Sequence, residues 1–141
     1  MQKIIVITLM LACGKMSFAQ CGKAIMLTSS KTEYLDGNYS VQRMVDEKST
    51  IQINRSEIII VTGDNERKMT GTIKADSCSW SNPFKDGKSV IKAAFTKEGE
   101  DTRNATITLE GKEGKVSFLM EIAEMPDRKI RVLAETFEEK K

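Results

Sequence analysis

Between Thr50 and Ser77 the chain alternates apolar and polar positions at a period of two, with two interruptions. Ile51 and Ile53 alternate with Gln52 and Asn54, Arg55-Ser56 breaks the run, and Ile58 to Val61 follows as a solid apolar stretch. Gly63-Asp64-Asn65-Glu66 breaks it again before Met69, Gly71, Ile73 and Ala75 alternate with Thr70, Thr72, Lys74 and Asp76. Successive side chains on a strand point to opposite faces. Each run therefore sets one face on a core and the other in water, and the short polar breaks turn each strand back on the last. Three strands of an antiparallel meander are predicted.

The same pattern extends in both directions. On the N-terminal side, Ala24 to Leu27 feeds a Thr/Ser-rich segment ending at Leu35, expected as an edge strand. Asp36-Gly37-Asn38 is a hairpin turn because Gly and Asn tolerate positive φ, Tyr39 to Val45 is the return strand, and Asp46-Glu47-Lys48 leads into the meander. On the C-terminal side, Ser77 to Lys88 holds the single tryptophan, Trp80, together with Pro83. Proline lacks the ladder donor, so this stretch is expected as a long loop. Strands resume at Val90 to Thr96, with Ile91, Ala93 and Phe95 on one face, and at Arg103 to Glu110, with Ala105, Ile107 and Leu109 inward. Val116 to Ala123, with Val116, Phe118, Met120 and Ile122 inward, and Lys129 to Phe137 complete the set. Turns are expected at Glu98 to Asp101, at Gly111 to Gly114 and at Pro126-Asp127.

The fold class is thus all-β, an antiparallel meander of about eight to ten strands with no helix. Such a run either closes into a barrel or splits into a two-sheet sandwich, and closure, which leaves no exposed edges, favours the barrel.

The first residues read differently. Lys3, the apolar run Ile4 to Leu11 and the small residues of Ser17-Phe18-Ala19 form a secretory signal peptide over residues 1–19, leaving 20–141 as a single domain, secreted or periplasmic. An alternative uses Leu11-Ala12-Cys13 as a lipoprotein signal, anchoring the protein through acylated Cys13. No stretch reaches the roughly 20 apolar residues of a membrane helix. The leader carries Lys3 and Lys15 and no acid, so the full chain's 22 basic and 20 acidic residues become balanced in the mature protein. A basic footprint for nucleic acid is therefore absent. Removing Cys13 with the leader leaves Cys21 and Cys78, an even pair in an oxidising compartment, expected to be bridged.

The chemistry is spare. The chain contains no histidine, which excludes Ser-His-Asp and Cys-His nucleophiles and histidine-ligated zinc. Two distant cysteines make no metal-thiolate spacing, neither a P-loop nor a dinucleotide-binding glycine pattern is present, and the carboxylates sit mostly in turns. No metal, cofactor or enzymatic activity is expected. Asn38, Asn54 and Asn104 each begin a glycosylation triplet, expected to be bare.

As a pattern over Ala24 to Phe137, with Trp80, Pro83, Phe84 and Gly87 in mid-meander, the chain resembles the lipocalin and fatty-acid-binding barrels and is similar to small secreted lipocalin-like (calycin-type) proteins. The resemblance implies a barrel that encloses a small apolar or amphipathic ligand without transforming it. The other class in view is a structural or protein-interaction module of the cell envelope, its core fully packed. Candidate ligand contacts are Trp80 and Phe84 on the proline-containing segment, Met69 and Phe118 on strands, and Arg131. Trp80 and Phe84 either line a mouth or fold inward as a plug, and the strand methionines Met26, Met44, Met69 and Met120 either soften a cavity or fill the core. Arg131 faces water if Ile130, Val132 and Ala134 point inward, and faces a ligand carboxylate if Leu133 and Phe137 do.

Overall fold

The computed structural model describes residues 21–63, 67–96 and 101–140. The leader, with Cys13, and parts of two expected turns lie outside these residues. Among the described residues nine strands and no helix occur: β1 (Ile25–Leu35), β2 (Val41–Ile53), β3 (Glu57–Thr62), β4 (Arg67–Asn82), β5 (Asp86–Phe95), β6 (Arg103–Lys112), β7 (Lys115–Ile122), β8 (Lys129–Leu133) and β9 (Thr136–Glu139). Every pairing is antiparallel, and neighbours in sequence are neighbours in the sheet from β1 to β8. β8 pairs back onto β1, so eight strands close into a barrel and β9 is an extra strand beside β1.

Closure makes β1 a central strand, not the expected edge. β2 runs along one side of it, while β8 takes Thr32 to Leu35 and β9 takes Ile25 to Thr28 on the other. The expected closing strand from Lys129 to Phe137 is accordingly broken at Ala134-Glu135. There the Ala134 N–H turns to Val116 O (2.9 Å) and the Glu135 N–H to Thr28 O (2.8 Å). Strands of a small barrel must bend sharply, and irregularities in register supply the bend: one between Ser29 and Lys31 of β1, another between Ile73 and Ala75 of β4. The second reverses parity, so Ala75, read as inward, is exposed.

The core sits where the alternation placed it. Leu27, Ile51, Ile58, Ile107, Leu109 and Phe118 are fully buried, each contributing about 1.5–3 kcal/mol of transfer free energy. Gly71 lies among them because a Cβ there would stand 2.7 Å from the Phe95 ring.

The expected loop around Trp80 is instead a β-hairpin. β4 continues through Asn82 and β5 begins at Asp86, so Pro83 falls in the turn and withholds no ladder donor. Lys85 N–H closes that turn on Asn82 O (3.0 Å), and the Asp86 carboxylate accepts the Glu113 N–H (2.8 Å), docking the β4–β5 turn on the β6–β7 turn. Gly111, expected in the β6–β7 turn, is a buried strand residue, and the turn is the pair Glu113-Gly114, both at positive φ (53° and 82°). That two-residue geometry matches the twist of the flanking strands.

Candidate functional site

The barrel has two unlike ends. One holds the β4–β5 and β6–β7 turns and is filled by aromatic side chains. Trp80 packs at 5.7 Å (centroid to centroid) from Phe137 of β9, and Phe84 meets the same ring edge-on at 5.2 Å. All three are partly buried against the core. Gly87 and Gly111 make room for the indole, since a Cβ on either would stand within 2.6 Å of Trp80 atoms. The Cys21–Cys78 disulfide, Cα to Cα 5.9 Å, ties the N-terminal segment to β4 beside this plug.

The other end, toward the end of β1 and the adjoining parts of β2, β3, β4, β7 and β8, keeps a small, partly open cavity of about 50 Å³. Its floor is apolar: Ile51, Ile60, Phe118, Met120, Ile130 and Val132. Thr32, Tyr34, Glu47, Ser49 and Thr62 also border it, although little of its surface comes from their polar atoms. Thr32 is 3% exposed, and its Oγ1, itself without accessible surface, has no hydrogen-bond partner among the described residues. Tyr34 donates its hydroxyl to Glu47 Oε1 at 3.0 Å, and Arg67 approaches the other carboxylate oxygen at 3.6 Å. Only 9% of the Glu47 side chain is exposed, against 68% for Arg67. Burial pushes the Tyr34 hydroxyl above its ordinary pKa, and the hydrogen bond to Glu47 and that residue's charge push it further the same way. Arg43, directly across the β1–β2 ladder from Tyr34, sets its guanidinium 4.5 Å from the ring centroid.

Met69 lies between this cavity and a larger cleft. It is 42% exposed and lines both the cavity and that cleft, which measures about 530 Å³ and is bordered by Arg67, Phe95, Asp101 and Arg103.

The structure thus separates the candidate ligand contacts into three places. Trp80 and Phe84 stand together in the plug, whereas Met69 and Phe118 stand together on the cavity, Phe118 as a core residue 2% exposed. Arg131 belongs to neither. Its neighbour Val132 points inward, and the guanidinium lies on the outer face of the barrel, donating from Nε to Glu33 Oε2 at 2.7 Å.

The residues that sequence reasoning missed are Thr32, Tyr34, Glu47 and Ser49. Asp46-Glu47-Lys48 is not a connection but the middle of the 13-residue strand β2. A signal was present: counting back from Ile53 and Ile51 in twos puts Ser49 and Glu47 on the inner face. The charge of the triplet masked the period.

Compared with known proteins, the chain matches no family model and no curated protein. Its reading therefore rests on its own geometry. Among the described residues no group of acidic and cysteine side chains is gathered as a metal site, and no helix is long and apolar enough to cross a membrane.

Proposed function

We propose that this protein is a secreted, lipocalin-like barrel that holds a small amphipathic molecule without transforming it. The polar group of the ligand enters the cavity beneath Tyr34 and its apolar part leaves past Met69 into the outer cleft. One observation carries this reading: the Glu47 carboxylate, hydrogen-bonded by the Tyr34 hydroxyl at 3.0 Å, stands at the wall of an otherwise apolar cavity. Pockets that orient amphipathic ligands have this composition, an apolar floor with a few convergent polar groups.

The disulfide favours an oxidising compartment. The test is a titration of isotope-labelled protein with six-carbon probes bearing different heads: 1-hexanol, hexanoate and hexylammonium. Saturable amide shifts gathered at Thr32, Glu47, Thr62 and Met120 are expected from at least one. If none of the three perturbs these residues, the barrel is a packed structural or interaction module.

A further inference from the structure

We infer that the polar group this cavity selects is a cation, and that its partner is the Glu47 carboxylate; the inference rests on the binding function proposed above. Glu47 projects from β2 into the barrel, where its side chain is 9% exposed. A carboxylate offers about four lone-pair sites. Glu47 uses one in a hydrogen bond, taken by the Tyr34 hydroxyl. Its other oxygen faces Arg67 at 3.6 Å, beyond hydrogen-bonding length, on a side chain that is 68% exposed. A contact of that kind is weakly held, because water screens the arginine and its long stem keeps its freedom. The buried end of the pair is costly to leave so poorly matched, whereas the exposed end is easily moved aside.

Arg43 already covers the Tyr34 ring, 4.5 Å from its centroid, so the ring contributes to the site through its hydroxyl. The lone pairs of Glu47 beyond the one that Tyr34 uses are the acceptors this wall offers to N–H groups. A primary ammonium fits this set. It carries three donors on one compact centre, small enough for a cavity of about 50 Å³. A carboxylate ligand would instead face Glu47 across the cavity as a like charge. The groups around the cavity thus favour an alkylammonium head, with Arg67 as the group it displaces and the cleft beyond Met69 as the path of its chain.

The experiment compares hexylammonium, 1-hexanol and hexanoate on the intact oxidised protein by the same titration, in wild type and in Glu47→Gln, Arg67→Ala and the double variant. Hexylammonium is expected to bind at least about tenfold more tightly than 1-hexanol or hexanoate, the scale of one charge-assisted hydrogen bond. Glu47→Gln, whose amide keeps an acceptor for Tyr34, should abolish the preference, so that hexylammonium and 1-hexanol bind the variant within about twofold of each other. Arg67→Ala should tighten hexylammonium severalfold only while Glu47 is present, so that the double variant shows no gain; a general surface-charge effect would survive in the double variant and overturn the inference. Saturable binding of 1-hexanol or hexanoate at the same residues with no ammonium preference would sink the cation assignment and leave the binding barrel standing. Failure of all three probes removes both.

Discussion

Trp80 donates its indole N–H to the hydroxyl of Ser89 at 2.8 Å, diagonally across the β4–β5 hairpin, and Ser89, which lies directly opposite Cys78, donates in turn to Cys78 Sγ at 3.4 Å. Ser89 is 7% exposed, so this bond satisfies a buried hydroxyl and fixes the rotation of the indole within the plug. The one tryptophan is thereby tied both to the aromatic stack and to the half of the disulfide that lies on β4.

Trp80→Ala should cost about 3 kcal/mol of stability, since it removes the body of the plug and leaves Gly87 and Gly111 lining an empty space. Trp80→Phe should cost less, about 1 kcal/mol for the lost hydrogen bond together with some packing. Urea unfolding of both variants measures the difference. The emission of native Trp80 should be blue-shifted and unmoved by probes bound at the opposite end; a large ligand-dependent shift would place the ligand at the plug.

Cys21 and Cys78 close a loop with a sequence separation of 57, for which the chain-entropy model gives about 4 kcal/mol of stabilisation. The double Cys→Ser variant should lose roughly that amount in denaturant unfolding. Thiol labelling of unreduced, denatured mature protein should find neither Cys21 nor Cys78 reactive. Labelling of both would contradict the bridge.

Tyr34 makes a pH prediction whose sign follows from its raised pKa. The folded state holds the phenolic proton more tightly than the unfolded state does. The stability this adds is fully present below the ordinary tyrosine value of about 10 and is lost as pH rises through the higher folded value. Absorbance of tyrosinate against pH should show an ionisation later than about 10 that disappears in Tyr34→Phe. In Glu47→Gln it should move down only part of the way, because burial, the larger cause, remains.

Arg131→Ala should change stability by less than about 1 kcal/mol, because its bond to Glu33 lies on the outer face with 36% of the arginine side chain exposed. Binding of the hexyl probes should be unaltered. A loss of affinity comparable to that of Glu47→Gln would return Arg131 to the ligand site.

How much of this was legible beforehand depends on the range of the force involved. The period-two alternation of Ile107 and Leu109, or of Phe118 and Met120, needs only local backbone geometry to say which face is buried, and the structure buries those residues. The same holds for the antiparallel meander, because short polar breaks between apolar runs permit little else. Closure was a weaker inference, argued from the cost of free edges; β8 pairing with β1 supplies it.

The sequence by itself determined the all-β class and the inner faces of β5, β6 and β7, which follow from nearest-neighbour alternation, whereas the bridge between Cys21 and Cys78 was an expectation that the structure supplies. Only the tertiary structure decided that Ser77 to Lys88 is a hairpin and that β1 is a central strand, since both depend on which strand lies alongside. It also decided which polar residues turn inward. The irregularity between Ser29 and Lys31 shifts the register of β1 against β2, so Thr32 and Tyr34 reach the interior on the opposite parity to Ile25 and Leu27, and Tyr34 meets Glu47 there. A one-residue slip exchanges the two faces of a strand, and the bending that produces it is required only once the barrel closes.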